Sequence, residues 1–249
     1  MTLLDANVQQ DPVLGEDTWE LFEAIESSFA VDLGDYREMC GKTVKELAEL
    51  INKKADYPAG DKCLSSVAFY RVRRAFETLY SIPRKAIRPA TPVSDLLPLE
   101  HRSTKWPMLE EHLGLTVPEL NYPNWILWLS LLAPPALLIS LRTFLKVPLN
   151  WSWIFTGSIA LYMVTFATII PALNARFPIR RSLPKNCETF SGLVTVVLLR
   201  NYAAFASQSG SSGESGVLKA LQQLTAMQLG MEPEEIAPEK RIPQDLNIY

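Results

Sequence analysis

The chain has little of what most catalytic and metal sites are built from. Of its 249 residues, 3 are cysteine and 2 are histidine. Cys40, Cys63 and Cys187 lie far apart and form no CxxC pair, which points to neither a disulfide framework nor a thiolate metal set. Glu110, Glu111 and His112 are adjacent rather than helically spaced, so they share no face that would hold a metal. No GxSxG, HExxH, P-loop or dinucleotide fingerprint occurs. On these grounds we expect no enzyme activity, no cofactor and no metal. Strand signals are nearly missing as well, and the expected class is all-α. MTLLDANVQQDP at the start has no basic region and no apolar run, so no secretory leader is expected there.

Acidic residues are missing from one long stretch, Trp125 to Leu173. It contains two apolar runs, WILWLSLLAPPALLISL and WSWIFTGSIALYMVTFATIIPAL. A helix crossing the hydrocarbon core needs about 20 mostly apolar residues. The second run satisfies this, and the first reaches it if Arg142 and Lys146 snorkel. Trp125, Trp128, Trp151 and Trp153 lie near the run ends, where interfacial aromatics are expected. The expectation is a two-helix transmembrane hairpin, about 125–145 and 151–173. A buried hairpin is the plain alternative. Pro134 and Pro135, which remove backbone donors and should kink the helix, leave a re-entrant first helix open. Neither span holds an ionisable group, which argues against a transport path. The second span carries a stripe of hydroxyls from Thr156 to Thr168, with Gly157 and Ala160 small enough to admit the first helix.

Arg176, Arg180, Arg181 and Lys185 follow the second run and are candidate contacts for lipid headgroups. By positive-inside logic both termini face the cytoplasm, and an integral protein of a bacterial inner membrane is expected. Membrane lipids are thus one expected partner. The bases Arg71, Arg73, Arg74, Arg84, Lys85 and Arg88 invite a nucleic-acid reading. Phe69, Tyr70 and Phe76 among them are more simply core, so no nucleic acid is expected.

Outside the hairpin the spacing predicts a helix over 16–29, with Trp19, Phe22, Ile25 and Phe29 inward and Asp17 or Thr18 as cap. Further helices are expected at about 43–53, 64–80, 105–114, 188–206 and 217–229, with a polar loop at 30–42. DYPAGDK (56–62) and SQSGSSGESG (207–216) read as linkers. Residues 1–60 and 207–249 are net acidic, whereas 61–123 and 176–206 are net basic. Pairing the two ends makes one acidic unit.

Local motifs carry a resemblance. QLGMEPEEIAPEKRIPQDL resembles the first helix and long loop of acyl carrier proteins. DTWELFEAIESSFAVDLGD resembles that family's second helix and MCGKTVKELAELI its last, introduced by a Thr-Val turn. The middle repeats the pattern, with FYRVRRAFETLYSIPRKAIRPATPVSDLLP, WPMLEEHLGLTVP and LPKNCETFSGLVTVVLL. The resemblance implies two carrier-like bundles. One is permuted, 13–55 with 217–249, and one is interrupted by the hairpin, 61–122 with 176–206. In that family a serine opening the second helix carries 4′-phosphopantetheine. Gly15 and Glu100 stand at those positions here, so the prosthetic group is not expected. The second-helix surface at Glu16, Asp17, Glu20 and Glu23 becomes the candidate site for an as yet unidentified protein partner. The expected function is a membrane-anchored, non-enzymatic scaffold or docking protein. The alternative is a carrier or accessory subunit of membrane-associated lipid or polyketide synthesis.

Overall fold

A computed structural model describes residues 15–58, 60, 62–144, 151–164, 181–210, 213–246 and 248. The chain is mostly helical, and among the described residues backbone pairing outside helices is limited to isolated bridges. Helix α1, Glu16–Phe29, buries Thr18, Leu21, Phe22, Ile25, Ser28 and Phe29. That is an i, i+3, i+4, i+7 stripe. Trp19, expected inside, lies off the stripe and is 55% exposed. Neither Asp17 nor Thr18 caps the helix. The N-cap is Gly15, and Glu16 and Asp17 occupy the first turn, where the helix dipole favours negative charge. The 30–42 segment contains a short helix α2, Tyr36–Met39, capped by Asp35. Helix α3, Val44–Ala55, opens with a reciprocal capping box between Thr43 and Glu46.

Helix α4 spans Leu64–Tyr80 and the short α5 Val93–Leu96. Helix α6, Leu99–Leu113, starts well before the expected residue 105 and runs through Pro107. The expected 188–206 helix is two, α9 (Phe190–Arg200) and α10 (Tyr202–Ser209), bent by 84° at Asn201. The last helix, α11, begins early, at Glu214–Leu229. The 207–216 segment is therefore largely helical rather than a flexible linker. At the other linker, a Cβ on Gly60 would collide with the Ser209 carbonyl and the Gly210 Cα, so the two backbones touch. Tyr57 donates to the Phe29 carbonyl and its ring meets Tyr202 at 5.8 Å.

Two units repeat one backbone pattern. In one, the loop after α4 pairs with the start of α9. Val93 donates to Glu188, Phe190 to Thr91 and Ser191 to Pro89. In the other, the loop after α11 pairs with the start of α3. Ile242 donates to Lys42, Val44 to Lys240 and Lys45 to Pro238. Each bond has its counterpart at a constant step along the chain. The antiparallel bridges match, Pro92 with Thr189 and Thr43 with Arg241, and both threonines cap the helix they precede. The second helices match through their left-handed C-caps, Ala30 after α1 and Gly114 after α6. In one unit the pieces run α4, α6, α9 along the chain; in the other the equivalent pieces are α11, α1 and α3. The two share a single hydrophobic core, in which α1 packs on α9, α10 and α11.

Helix α7 is Asn124–Phe144 and α8 is Trp151–Val164. They lie between α6 and α9, where the other unit has only the 30–43 segment with the short α2, and they pack on each other. A Cβ on Gly157 would stand 3.3 Å from Leu138, so this glycine admits the neighbouring helix. Helix α7 continues unbroken through Pro134 and Pro135. Ser140, Thr143 and Thr156 donate their hydroxyls to carbonyls of their own helices, which hides them from an apolar solvent. The 145–150 connector and residues 165–173 of the expected second span lie outside the described residues. Among the described residues no single helix is long and apolar enough to cross a membrane. The bent pair α9–α10 qualifies by length and composition together. Its Phe190, Leu193, Val197 and Phe205 are fully buried in the protein core, which accounts for its apolarity.

Candidate functional site

The described parts of α7 and α8 do not hide their apolar surface. Among the described residues twelve large hydrophobic side chains are conspicuously exposed, and eight of them are on this pair: Trp128, Leu131, Leu132, Leu137, Ile139, Ile159, Met163 and Val164. Such a concentration marks an interaction surface rather than ordinary scatter.

The segment is clamped where it leaves the body. Asn121 and Ser182 exchange both backbone hydrogen bonds, at 2.9 and 3.0 Å. One residue further out, the Arg181 guanidinium stacks over the Tyr122 ring at 4.3 Å and donates to its hydroxyl at 2.8 Å. Arg102 on α6 ties this neck to the body. It is 5% exposed, donates twice to the Leu97 carbonyl and once, at 3.4 Å, to the Arg181 carbonyl. Burial lowers its pKa from the ordinary value. A guanidinium still keeps its charge, so three carbonyl bonds must offset its desolvation. Trp106 on the same helix donates to the Pro118 carbonyl at 2.8 Å and holds the incoming segment.

The four expected lipid-contact bases separate. Arg181 is committed to the neck, and Lys185 is exposed in a short turn at 185–187. Arg176 and Arg180 lie outside the described residues. The four expected partner contacts come together: Glu16, Asp17, Glu20 and Glu23 are all exposed on the outer face of α1. Trp19 stands among them, edge-on to Tyr36 at 4.7 Å. Tyr36 is fixed from behind, since its hydroxyl donates to Glu26 at 2.7 Å. Burial, aided by that bond, pushes the phenol up to about 12. A groove of about 600 Å³ continues from this face, lined by Glu20, Glu23, Glu119 and Arg200.

The bases on α4 are partly used within the fold. Arg73 pairs with Glu77 at 3.6 Å, and Arg84 approaches the same carboxylate. Arg71 donates to the Leu113 carbonyl and to Gln208. Tyr70, expected in the core, is 56% exposed. Gly15 is the N-cap of α1 and Glu100 is in the first turn of α6, so each stands at the start of a second helix. Matching the C-caps makes Glu100 the counterpart of Glu16, not of Gly15, so the two expected positions are one residue out of register. Neither side chain offers a hydroxyl for a phosphodiester.

No family model, curated protein or solved structure matches the chain.

Two elements of the site were hidden in the sequence. Nothing in the local spacing marks Arg102 for burial, and only its place beside a closing loop buries it. Trp19 satisfies a helical stripe as well as Thr18 does, and the α1 docking angle decides between them. Among the described residues no group of three His, Cys, Asp or Glu side chains converges as a metal set.

Proposed function

We propose that this is a membrane-anchored, non-catalytic docking protein, whose α7–α8 hairpin is buried in the bilayer and whose helical body sits at the surface. The observation that carries this reading is the set of eight exposed apolar side chains on one helix pair. Burying apolar area in hydrocarbon gains about 25 cal/mol per Å², which makes lipid the natural cover for such a surface. The internal satisfaction of the hairpin hydroxyls suits the same environment. The neck at Asn121–Ser182 then lies near the headgroups, with Tyr122 and Arg181 at the depth where aromatic and basic side chains are favoured. The body presents the α1 face to a protein partner.

Flotation of the full-length chain with liposomes tests the anchor. The protein is expected to float with lipid and to resist both high salt and alkaline extraction. Release by alkali, with the lipid still floating, overturns it.

A further inference from the structure

Outside the hairpin, four large hydrophobic side chains are conspicuously exposed among the described residues: Trp19, Tyr70, Leu99 and Met108. The two aromatics sit in surroundings of opposite charge. Trp19 projects from an acidic face, with Glu16 three positions before it, Glu20 next to it and Glu23 four positions after. Tyr70 borders a groove of about 500 Å³ whose other walls are Val67, Arg71, Arg74, Ala75, His112 and Leu113. Ala75 and Leu113 are buried and form an apolar floor, while Arg74 and His112 are exposed at the rim. A volume of this size falls within the range of specific sites, and a tryptophan is a common anchor for one.

The two features occupy related places in the repeat. The basic groove lies between α4 and α6, the first and second helices of its unit. The acidic groove beside Trp19 touches α11 and α1, the corresponding helices of the other unit. In the register of the repeat Arg74 and His112 correspond to Gln223 and Ser28, so the opposite charges lie on corresponding helix pairs and not at equivalent positions. A surface with an acidic-rimmed knob and a basic-rimmed hole is complementary to a second copy of itself.

We propose that copies of this chain dock head to tail, with Trp19 of one entering the Arg74–His112 groove of the next. Glu16, Glu20 and Glu23 face the basic rim, and the indole meets a guanidinium and an apolar floor, a favourable cation–π setting. The contact is heterologous, since face and groove are different patches, so it builds chains or rings rather than a closed twofold dimer. Copies anchored in one bilayer share an orientation and meet in two dimensions, which raises their effective concentration. The inference rests on the reading of the α1 face as a docking surface and names its occupant.

Full-length chains bearing donor or acceptor dyes on a C-terminal tag are mixed in a mild nonionic detergent, and energy transfer is read. Transfer is expected at about 50 mM salt and should fall at about 500 mM, where the Debye length is much shorter. Trp19→Ala, Glu20→Lys with Glu23→Lys, and Arg74→Glu are each expected to weaken association by roughly tenfold or more, while circular dichroism stays helical. All four side chains are exposed, so their replacement leaves the buried core intact. Mixing the Glu20→Lys/Glu23→Lys protein with the Arg74→Glu protein should restore transfer, because each reversed patch then meets its complement. The proposal is overturned by a wild type without transfer at low salt, by charge reversals that leave transfer unchanged, or by a mixture that fails to recover. Flotation is read separately. A chain that floats but shows no transfer refutes self-docking alone, and a chain that transfers but does not float refutes the anchor alone.

Discussion

The side chain of Asn201 and the backbone of Thr116 exchange two hydrogen bonds. The Thr116 amide donates to Asn201 Oδ1 and Asn201 Nδ2 donates to the Thr116 carbonyl, both at 2.8 Å. Nδ2 also reaches the Val197 carbonyl at 2.7 Å, one turn back in α9. Asn201 thus stands in for a missing strand at the α9–α10 bend and fastens there the segment that leads to the hairpin. Asn201→Ala removes all three bonds and leaves the exposed Thr116 groups to water. We expect a loss of about 2 kcal/mol in denaturant unfolding. Asn201→Asp should be no better, since a carboxylate cannot donate to two carbonyls.

Arg102 holds the hairpin neck through carbonyls alone. Arg102→Met keeps the volume but removes every donor to Leu97 and Arg181. The expected result is a destabilisation of about 1–3 kcal/mol, with faster hydrogen exchange at the Asn121 and Ser182 amides. Exchange in α3 and α11, in the other unit, should change far less. Equal acceleration in both units would show that Arg102 supports the whole core rather than the neck.

The approach of Gly60 to Gly210 leaves no room for a side chain. Gly60→Ala must push apart two backbones, and neither can yield as a flexible side chain would. A drop in melting temperature of several degrees is expected, at roughly 2–4 °C per kcal/mol for a chain of this size. Gly34→Ala is an instructive comparison. The space there is open and only the left-handed backbone opposes it, with φ 85°. Its cost should be near 1 kcal/mol.

The three thiols should titrate very differently. Cys63 accepts help from Ser65, whose hydroxyl lies 2.9 Å from Sγ, and from the Ser66 backbone, which brings its pKa down to about 7. Cys187 is wholly buried, and burial pushes its thiol up to about 12. Cys40 is raised too, first by burial and then by Asp35. Because the thiolate is the nucleophile, alkylation of the native protein should label Cys63 first, with a rate that rises as pH passes through about 7. Cys187 should stay unlabelled until the protein unfolds. Peptide mass mapping reads all three.

Much of the helical framework was legible because it follows from local spacing. Helix α4 spans the predicted residues, and α11 ends at the predicted Leu229, with Gly230 as its left-handed C-cap. Capping by Thr43 is visible in the Thr-Val turn and the following glutamate. Helix starts were less legible. The N-terminal turn of α6 carries Glu100, His101 and Arg102, which signal no apolar face, and its burial depends on a closing loop far along the chain. The acidic patch on the outer face of α1 was readable from composition and spacing. Its aromatic centre was not, since period 3.6 tolerates either Trp19 or Thr18 inside.

By itself, the sequence determined the helical class, the opposite charge of the two units and the apolar excess of the hairpin. These are properties of composition and short-range spacing, which need no partner. Tertiary structure decided the rest. The bonds Val93 to Glu188 and Ile242 to Lys42 join residues far apart in the chain, and only their equivalence reveals one pattern used twice. Which aromatic faces out depends on how each helix docks, because a stripe about 100° wide fixes a face but not its edges. Tertiary packing placed Trp19 and Tyr70 on the surface, and it set α7 and α8 on a neck whose clamp, Arg102, is buried by residues that no local reading brings near it.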